Sequence, residues 1–367
     1  MSIIIFFIIL LVLVLVHEAG HFFTAKKFGI RVDEFGFGFP PKLFGIKKGE
    51  TEYTFNALPI GGFVKIFGEN PNEENTSGPD SKRSFVNKPK WQQAIVLFAG
   101  VFANFLLAWI LFSVGFMSGL PTSVGSQPAG YQLSNVNLTV VSVSSESPAE
   151  LAGLKSGDKI VSVTHKEGEM FLVEGINPDT LKSFITEHAG KEIEIGYIRG
   201  KNPEEKTVKV GVNKESEGSN IGISMDMVGT AKLPFLTAFK EGMALTWFVT
   251  KATVVGLYTL VADSLKGEGS LDSVTGPVGM VGIVGDAYDF GFVYLLSFAA
   301  LISINLAIIN LLPFPALDGG RLFFLLIEKI KGSRINPKFA NTANMVGFSL
   351  LILLMIVITW HDVARLF

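Results

Sequence analysis

His17-Glu18-Ala19-Gly20-His21 sets two imidazoles and a carboxylate within five residues. On a helix the two histidines stand one turn apart on one face, so both can reach a single metal ion. Glu18 follows His17 directly, within reach of a water at such an ion, and the pattern is that of a zinc peptidase. Its setting is a membrane segment. Residues 3–16 are an unbroken apolar run, and Phe22 and Phe23 extend it past the motif. Ionisable groups at membrane depth are costly to bury and usually mark function. Five-letter matches also arise by chance, and a His-Glu-His face can simply line a helix interface. In hydrocarbon that reading leaves three polar groups needing partners.

A catalytic zinc takes three protein ligands and keeps one position open. The best remaining donor is Asp318, at the end of Asn310-Leu-Leu-Pro-Phe-Pro-Ala-Leu-Asp318 and just before Gly319-Gly320. Pro313 and Pro315 lack amide donors and break a helix there. Non-helical backbone near the membrane is tolerated only when buried in protein or lining a wet cavity. The competing reading is a helix end with Asp318 solvated.

These groups need elements to bring them together. The chain has 367 residues, 48% hydrophobic and 17% charged, with a net charge of −2. That is a membrane protein with a soluble part and no basic field for nucleic acid. It has no cysteine, which removes disulfides, thiolate nucleophiles and Cys-ligated zinc. Four segments, near 3–23, 94–116, 292–312 and 346–360, are long and apolar enough to span a bilayer. No Lys or Arg precedes Ile3, so the first reads as a span rather than a cleaved signal. Basic residues cluster after the first span (Lys42, Lys47, Lys48, Lys65, Lys82, Arg83) and after the third (Arg321, Lys329, Lys331, Arg334). Both clusters lie inside if the two termini lie outside.

Residues from about 117 to 263 then lie outside. Strand-like runs at 138–143, 159–163, 192–199 and 207–212 and a helix at 178–188, capped by Asn177, make an α+β unit. The segment 235–261 is interrupted by Lys240, Glu241 and Lys251 and reads as an amphipathic helix at the outer surface. A fifth span is the competing reading and would break the charge pattern. Between the first two spans, residues 32–67 alternate aromatics and glycines and fit two or more short β-hairpins. Phe37, Phe39, Phe63, Ile66 and Phe67 would let that sheet dip into the inner leaflet. His165 and His188 read as surface residues of the α+β unit.

Together these motifs resemble the site-2 protease family of intramembrane zinc metalloproteases, in its bacterial regulator-of-sigma-E form. The resemblance rests on His17-Glu18-x-x-His21, on residues 58–67 with Gly61-Gly62-Phe63, on the Gly100–Asn104 spacing, and on Asn305-x4-Asn310 leading to Asp318. It covers nearly the whole chain in order. It implies Zn2+ held by His17, His21 and Asp318, with Glu18 as catalytic acid/base and Asn310 holding the substrate backbone or the oxyanion. It further implies Gly61, Gly62, Phe63 and Asn305 as substrate-binding, the hairpin pairing with an unwound substrate strand. Residues 147–163 resemble the core signature of a PDZ domain, and Ile221, Gly222 and Ile223 its peptide groove in the circularly permuted bacterial form. One such domain is present, where the Gram-negative relatives carry two.

The expected fold is a multi-pass α-helical membrane protein of four transmembrane helices, with membrane-associated β-hairpins and an inserted α+β PDZ domain. Its parts are an N-terminal core half (1–118), the PDZ domain (136–228), a surface helix and linker (229–290) and a C-terminal core half (291–367). The expected partners are the lipid bilayer and single-pass transmembrane substrates, such as anti-sigma factors or signal peptides, with no nucleic acid. The expected place is the bacterial cytoplasmic membrane, with both termini and the PDZ domain outside and the zinc near the cytoplasmic face. A non-proteolytic PDZ-containing scaffold is the contrasting reading; it predicts no bound metal, and the intact ligand set argues against it.

Overall fold

A computed structural model describes the chain except residues 71–72, 145, 166–170, 173–175, 201–203, 216–217, 268–273 and 365–367. In chain order the elements are α1 (Ser2–Lys27), β1 (Val32–Lys48), β2 (Thr51–Ile66), α2 (Glu73–Ser77), α3 (Lys90–Ser118), β3 (Leu120–Ser123) and β4 (Ser134–Val143). Then follow α4 (Pro148–Leu151), β5 (Lys159–Thr164), β6 (Phe171–Leu172), α5 (Pro178–Glu187), β7 (Glu192–Ile198), β8 (Lys206–Gly211), β9 (Asn213–Glu215), β10 (Gly218–Asn220) and β11 (Ile223–Ala231). The chain closes with α6 (Phe235–Lys266), α7 (Pro277–Phe290), α8 (Phe292–Leu311), α9 (Asp318–Lys331) and α10 (Pro337–Ala364). Two compact units result: Met1–Phe112 with Gly242–Gly285 and Ser297–Phe367, and Ser113–Glu241 with Asp286–Leu296.

In the first unit, α1 is built largely from Ile, Leu and Val. In water its β-branched Ile and Val would favour a strand, but in lipid a helix alone satisfies its own backbone. Among the described residues, five helices (α1, α3, α6, α8 and α10) are long and apolar enough to cross a membrane. The fifth candidate, α6, departs from the expected amphipathic pattern. It packs Leu245, Val249 and Leu257 on Ala108 and Phe112 of α3 and Ala300 and Ile304 of α8. It also exposes Trp247, Phe248, Val254, Val255 and Tyr258. A helix apolar on both its packed and its open faces suits lipid better than a water boundary.

The paired strands β1 and β2 form what is in effect a four-ribbon sheet. Phe35 pairs with Val64 on one side and Tyr53 on the other, and Gly36 likewise with Phe63 and Thr54. The second half of β1 pairs Ile46 with Tyr53 and Lys48 with Thr51. Residues 62–66 therefore form an outer ribbon, and among the described residues no further strand pairs beyond it. The apolar face differs from the expected one. Ile66 and Phe67 are buried, whereas Phe39, Leu43, Phe44, Ile46, Phe55 and Leu58 are exposed. Phe55 stacks on Phe37 and on Phe44 at 4.6 Å, so the outward aromatics belong to the hairpin tips. Ile66 instead joins Phe22, Ala25, Val96 and Leu97 in a core that also takes Leu322 and Leu325 of α9. Each of the larger side chains there, buried from water, contributes about 1.5–3 kcal/mol. That core holds the β-ribbons, α3 and the amphipathic α9 around the end of α1.

The second unit is an antiparallel sheet in the order β3-β11-β4-β5-β7-β8, with β6 beside β5. Helix α5 covers it, with Leu181, Phe184 and Ile185 set among Val140, Ile160, Val163, Ile193 and Ile195. Its start carries the expected cap: Asn177 Oδ1 accepts from the Thr180 amide at 2.9 Å, and the Asn177 amide donates to Thr180 Oγ1 at 2.9 Å. The sheet runs wider than the expected 136–228. Strand β3 pairs with the last residues of β11, from Val228↔Ser123 to Ala231↔Leu120. Asp158 is fully buried, and Arg199 grips it through Nε at 2.7 Å and Nη2 at 2.6 Å.

Candidate active site

Three ligand-type atoms from α1 and α9 converge in the first unit. His17 and His21 are buried and Asp318 is half-buried. Nε2 of His17 lies 2.9 Å from Oδ2 of Asp318, Nε2 of His21 lies 3.2 Å from the same oxygen, and the two Nε2 atoms are 3.2 Å apart. Donors about 2.0–2.1 Å from a tetrahedral zinc stand about 3.3–3.4 Å from one another. The triangle is close to that size, and two imidazoles with one carboxylate form a donor set that zinc accepts. The chain's residues therefore fit the ion.

Each ring is fixed from behind. His21 Nδ1 is 2.8 Å from the Val96 carbonyl oxygen, so Nδ1 carries the proton and Nε2 offers its lone pair. Behind His17, Nδ2 of the fully buried Asn104 lies 3.4 Å from Nδ1, while its Oδ1 meets no partner among the described residues. With its amide oxygen turned to the ring it accepts the Nδ1 proton and frees Nε2 in the same way; amide orientation is assigned from such partners. Ser303 of α8 donates to the Asn104 carbonyl oxygen at 2.9 Å, bracing that side.

Two glycines make room for the rings. A Cβ on Gly100 would stand 2.3 Å from His21 Nε2 and 2.9 Å from His17 Cε1. A Cβ on Gly20 would meet the Ala99 carbonyl oxygen at 2.3 Å. So α1 and α3 touch nearly backbone to backbone, and both imidazoles lie across Gly100.

The carboxylate is held by a loop rather than by a helix end in solvent. Asp318 is the first residue of α9, where an anion also complements the helix dipole. Ala316 has φ 76, a left-handed backbone that costs a non-glycine residue of order 1–3 kcal/mol. Its amide donates to Asn344 Oδ1 of α10 at 3.1 Å, which helps hold it there. A Cβ on Gly319 would meet the Leu311 and Leu312 carbonyl oxygens at 2.2 Å, so the loop folds back tightly on the end of α8.

Beside the triangle is a cavity of about 200 Å³ lined by Val14, His17, Glu18, Leu306, Asn310, Ala316, Leu317 and Asp318. Glu18 and Asn310 thus face the same small space as the donor atoms. The Glu18 carboxyl also lies close to the backbone of Val64, on the outer ribbon of β2. Gly61 and Gly62 lie against Val14 and Leu15 of α1, and Phe63 lies across Gly36. Asn305 is placed otherwise: its Oδ1 accepts from Thr253 Oγ1 of α6 at 3.3 Å, an interhelical bond. In the second unit, Ile221 is buried in the core and Gly222 has φ +78 against Ser147. The Ile221 and Gly222 carbonyl oxygens accept from the Ala149 and Ser144 amides at 3.0 and 2.8 Å, and Ile223 opens β11 opposite Val143. Nothing in the sequence marks Asn344, and Gly100 and Asn104 stand out there only as a spacing. The one signal for that pair was their four-residue separation, which sets both on one face of α3.

Residues 5–354 match the family described as peptidase family M50. A protein of Clostridium perfringens is 37% identical over 352 residues, covering 96% of this chain and 95% of its own length. The zinc metalloprotease RasP of Geobacillus kaustophilus is 31% identical over 444 aligned positions, covering 100% of this chain and 98% of its own. The regulator of sigma-W protease RasP of Bacillus subtilis is 32% identical over 446 positions, covering 100% and 99%.

Proposed function

Because this chain belongs to peptidase family M50, as an intramembrane zinc metalloprotease of the site-2 type, we propose that it cuts single-pass membrane proteins within their transmembrane segments. Anti-sigma factors and remnant signal peptides, already shortened by an earlier cut, are the substrate class. His17, His21 and Asp318 hold the Zn2+, and Glu18 is the acid/base. The observation that carries this is the meeting of two histidines with a carboxylate 301 residues away from His17, inside apolar helices and beside Glu18.

Bound zinc supplies Lewis acidity towards the peptide carbonyl and brings the pKa of water to about 7. Glu18 removes a proton from the attacking water and returns it to the leaving amide nitrogen, so water and one peptide bond become a carboxylic acid and an amine, which part as carboxylate and ammonium once the acid's proton passes to the amine. The Asn310 amide donates to the carbonyl oxygen as it gains charge. A substrate helix hides its scissile bond within its own hydrogen bonds and must first unwind. The outer ribbon at 62–66 offers an unpaired edge next to Glu18 on which an extended segment pairs by strand addition. Asn305 helps fix α8 against α6 in this account.

The proposed topology in the cytoplasmic membrane has four crossings, by α1, α3, α8 and α10, with both termini outside and the basic clusters inside, while α6 rests on α3 and α8 with its open apolar face in the outer leaflet. Its support is the charge pattern: Lys42, Lys47, Lys48 and Lys65 follow α1 and Arg321, Lys329, Lys331 and Arg334 follow α8, on one side of four crossings. The sheet of the second unit is proposed as the external PDZ domain, with Ile221–Gly222–Ile223 at its groove.

The test is reconstitution of the full chain with a transmembrane test substrate. Stripping the metal with a chelator should abolish cleavage, zinc should restore it, and product masses should place the cut inside the apolar segment. Cleavage that persists without metal, or a cut outside that segment, would rule the reading out.

A further inference from the structure

One ion pair in the first unit joins the ligand helix to the edge ribbon. Arg321 stands one turn after Asp318 on α9, and its guanidinium pairs with Glu69. Glu69 lies three residues beyond the end of β2, the strand whose Val64 backbone lies close to Glu18. Both side chains are largely shielded, at 31% and 22% exposure, so the pair is less screened than a surface one. It borders a cavity of about 680 Å³ that Lys90, Gln93, Glu328, Arg334 and Asn344 also line. Leu322 and Leu325, neighbours of Arg321 on α9, pack on the core that contains Ile66. Apolar contacts of that kind hold two elements together without fixing how far one has slid along the other. A charged pair between fixed points does fix it, since Arg donates in a set geometry.

We propose that Arg321 and Glu69 are positioning residues that set the height of the β2 edge relative to Asp318, and so choose which bond of a bound strand is cut. The inference rests on the strand-addition reading above. A strand held on an edge can move only in steps of two residues without reversing the faces of its side chains. Loss of the pair therefore blurs the cut over bonds two residues apart, whereas loss of a merely stabilising contact lowers the yield at one unchanged bond.

The absence of cysteine makes the test clean. In a Glu18→Gln background, Lys65→Cys on the exposed face of the ribbon is cross-linked to a series of single cysteines along the test substrate. A maximum at one substrate position is expected, and with Arg321→Met it should spread or move by two residues. In chains with Glu18 intact, Arg321→Met and Glu69→Gln should give products differing by two residues, with zinc content unchanged. The exchange Arg321→Glu with Glu69→Arg should restore the single product. An identical cross-link maximum and single product in Arg321→Met would overturn the positioning role while leaving the edge reading intact. Absence of any cross-link maximum in either background would overturn the edge reading and the positioning role with it.

Discussion

Glu18→Gln is expected to lower the turnover of a transmembrane substrate by about 100-fold to 10,000-fold, the range that general acid–base groups supply. Zinc content should stay at the wild-type level. Glu18 shares the small cavity with His17 and Asp318 but stands outside the three-atom cluster. Glutamine keeps the size and the place beside Val64, but it cannot take a proton from water. The result therefore separates a lost base from a lost metal. Turnover at the wild-type rate would remove Glu18 from the mechanism; loss of zinc would make it a ligand.

Gly100→Ala is expected to be nearly as damaging although it adds only a methyl group. That methyl would sit 2.3 Å from His21 Nε2 and 2.9 Å from His17 Cε1, with helix backbone behind it. Overpacking of this kind costs about 1–3 kcal/mol in an ordinary core. Here the nearest movable atoms are the metal donors. Either the rings turn away or α1 and α3 separate, and both break a triangle whose edges are 2.9–3.2 Å. Disturbing the groups that orient a ligand already costs 10–100-fold in metal affinity, and displacing the ligands should cost more than about 100-fold. Zinc competition titrations and cleavage assays should fall together while helix content by circular dichroism is retained. Wild-type zinc affinity in Gly100→Ala would mean that the rings do not lie across α3 as described.

The chemistry was legible because its signals were local and out of place. His17, Glu18 and His21 stand on one helix within a segment where polar groups are rare, and Pro313 and Pro315 mark the broken backbone that presents Asp318. The expected strands of the second unit and the Asn177 cap were equally readable, since alternation and capping depend on near neighbours. What depends on distant partners was not. Strand β3 contains Pro121, which argues against a strand, yet it lies at the sheet edge, where a missing amide donor costs little. Lys240, Glu241 and Lys251 suggested a polar face on α6, but its Trp247, Phe248 and Tyr258 are exposed on a largely apolar helix. Only the resemblance pointed to Asn305 as substrate-binding; its bond from Thr253 of another helix depends on a distant partner that no local pattern announces. Nothing near Glu69 in the sequence points to Arg321.

X-ray absorption at the zinc edge on the purified full chain tests the central claim most directly. Two imidazole nitrogens and carboxylate oxygen at about 2.0–2.1 Å are expected, with the oxygen contribution reduced and the zinc depleted in Asp318→Ala. A spectrum without two imidazoles, or Asp318→Ala with full zinc and an unaltered spectrum, would contradict the assignment of His17, His21 and Asp318 as the metal centre.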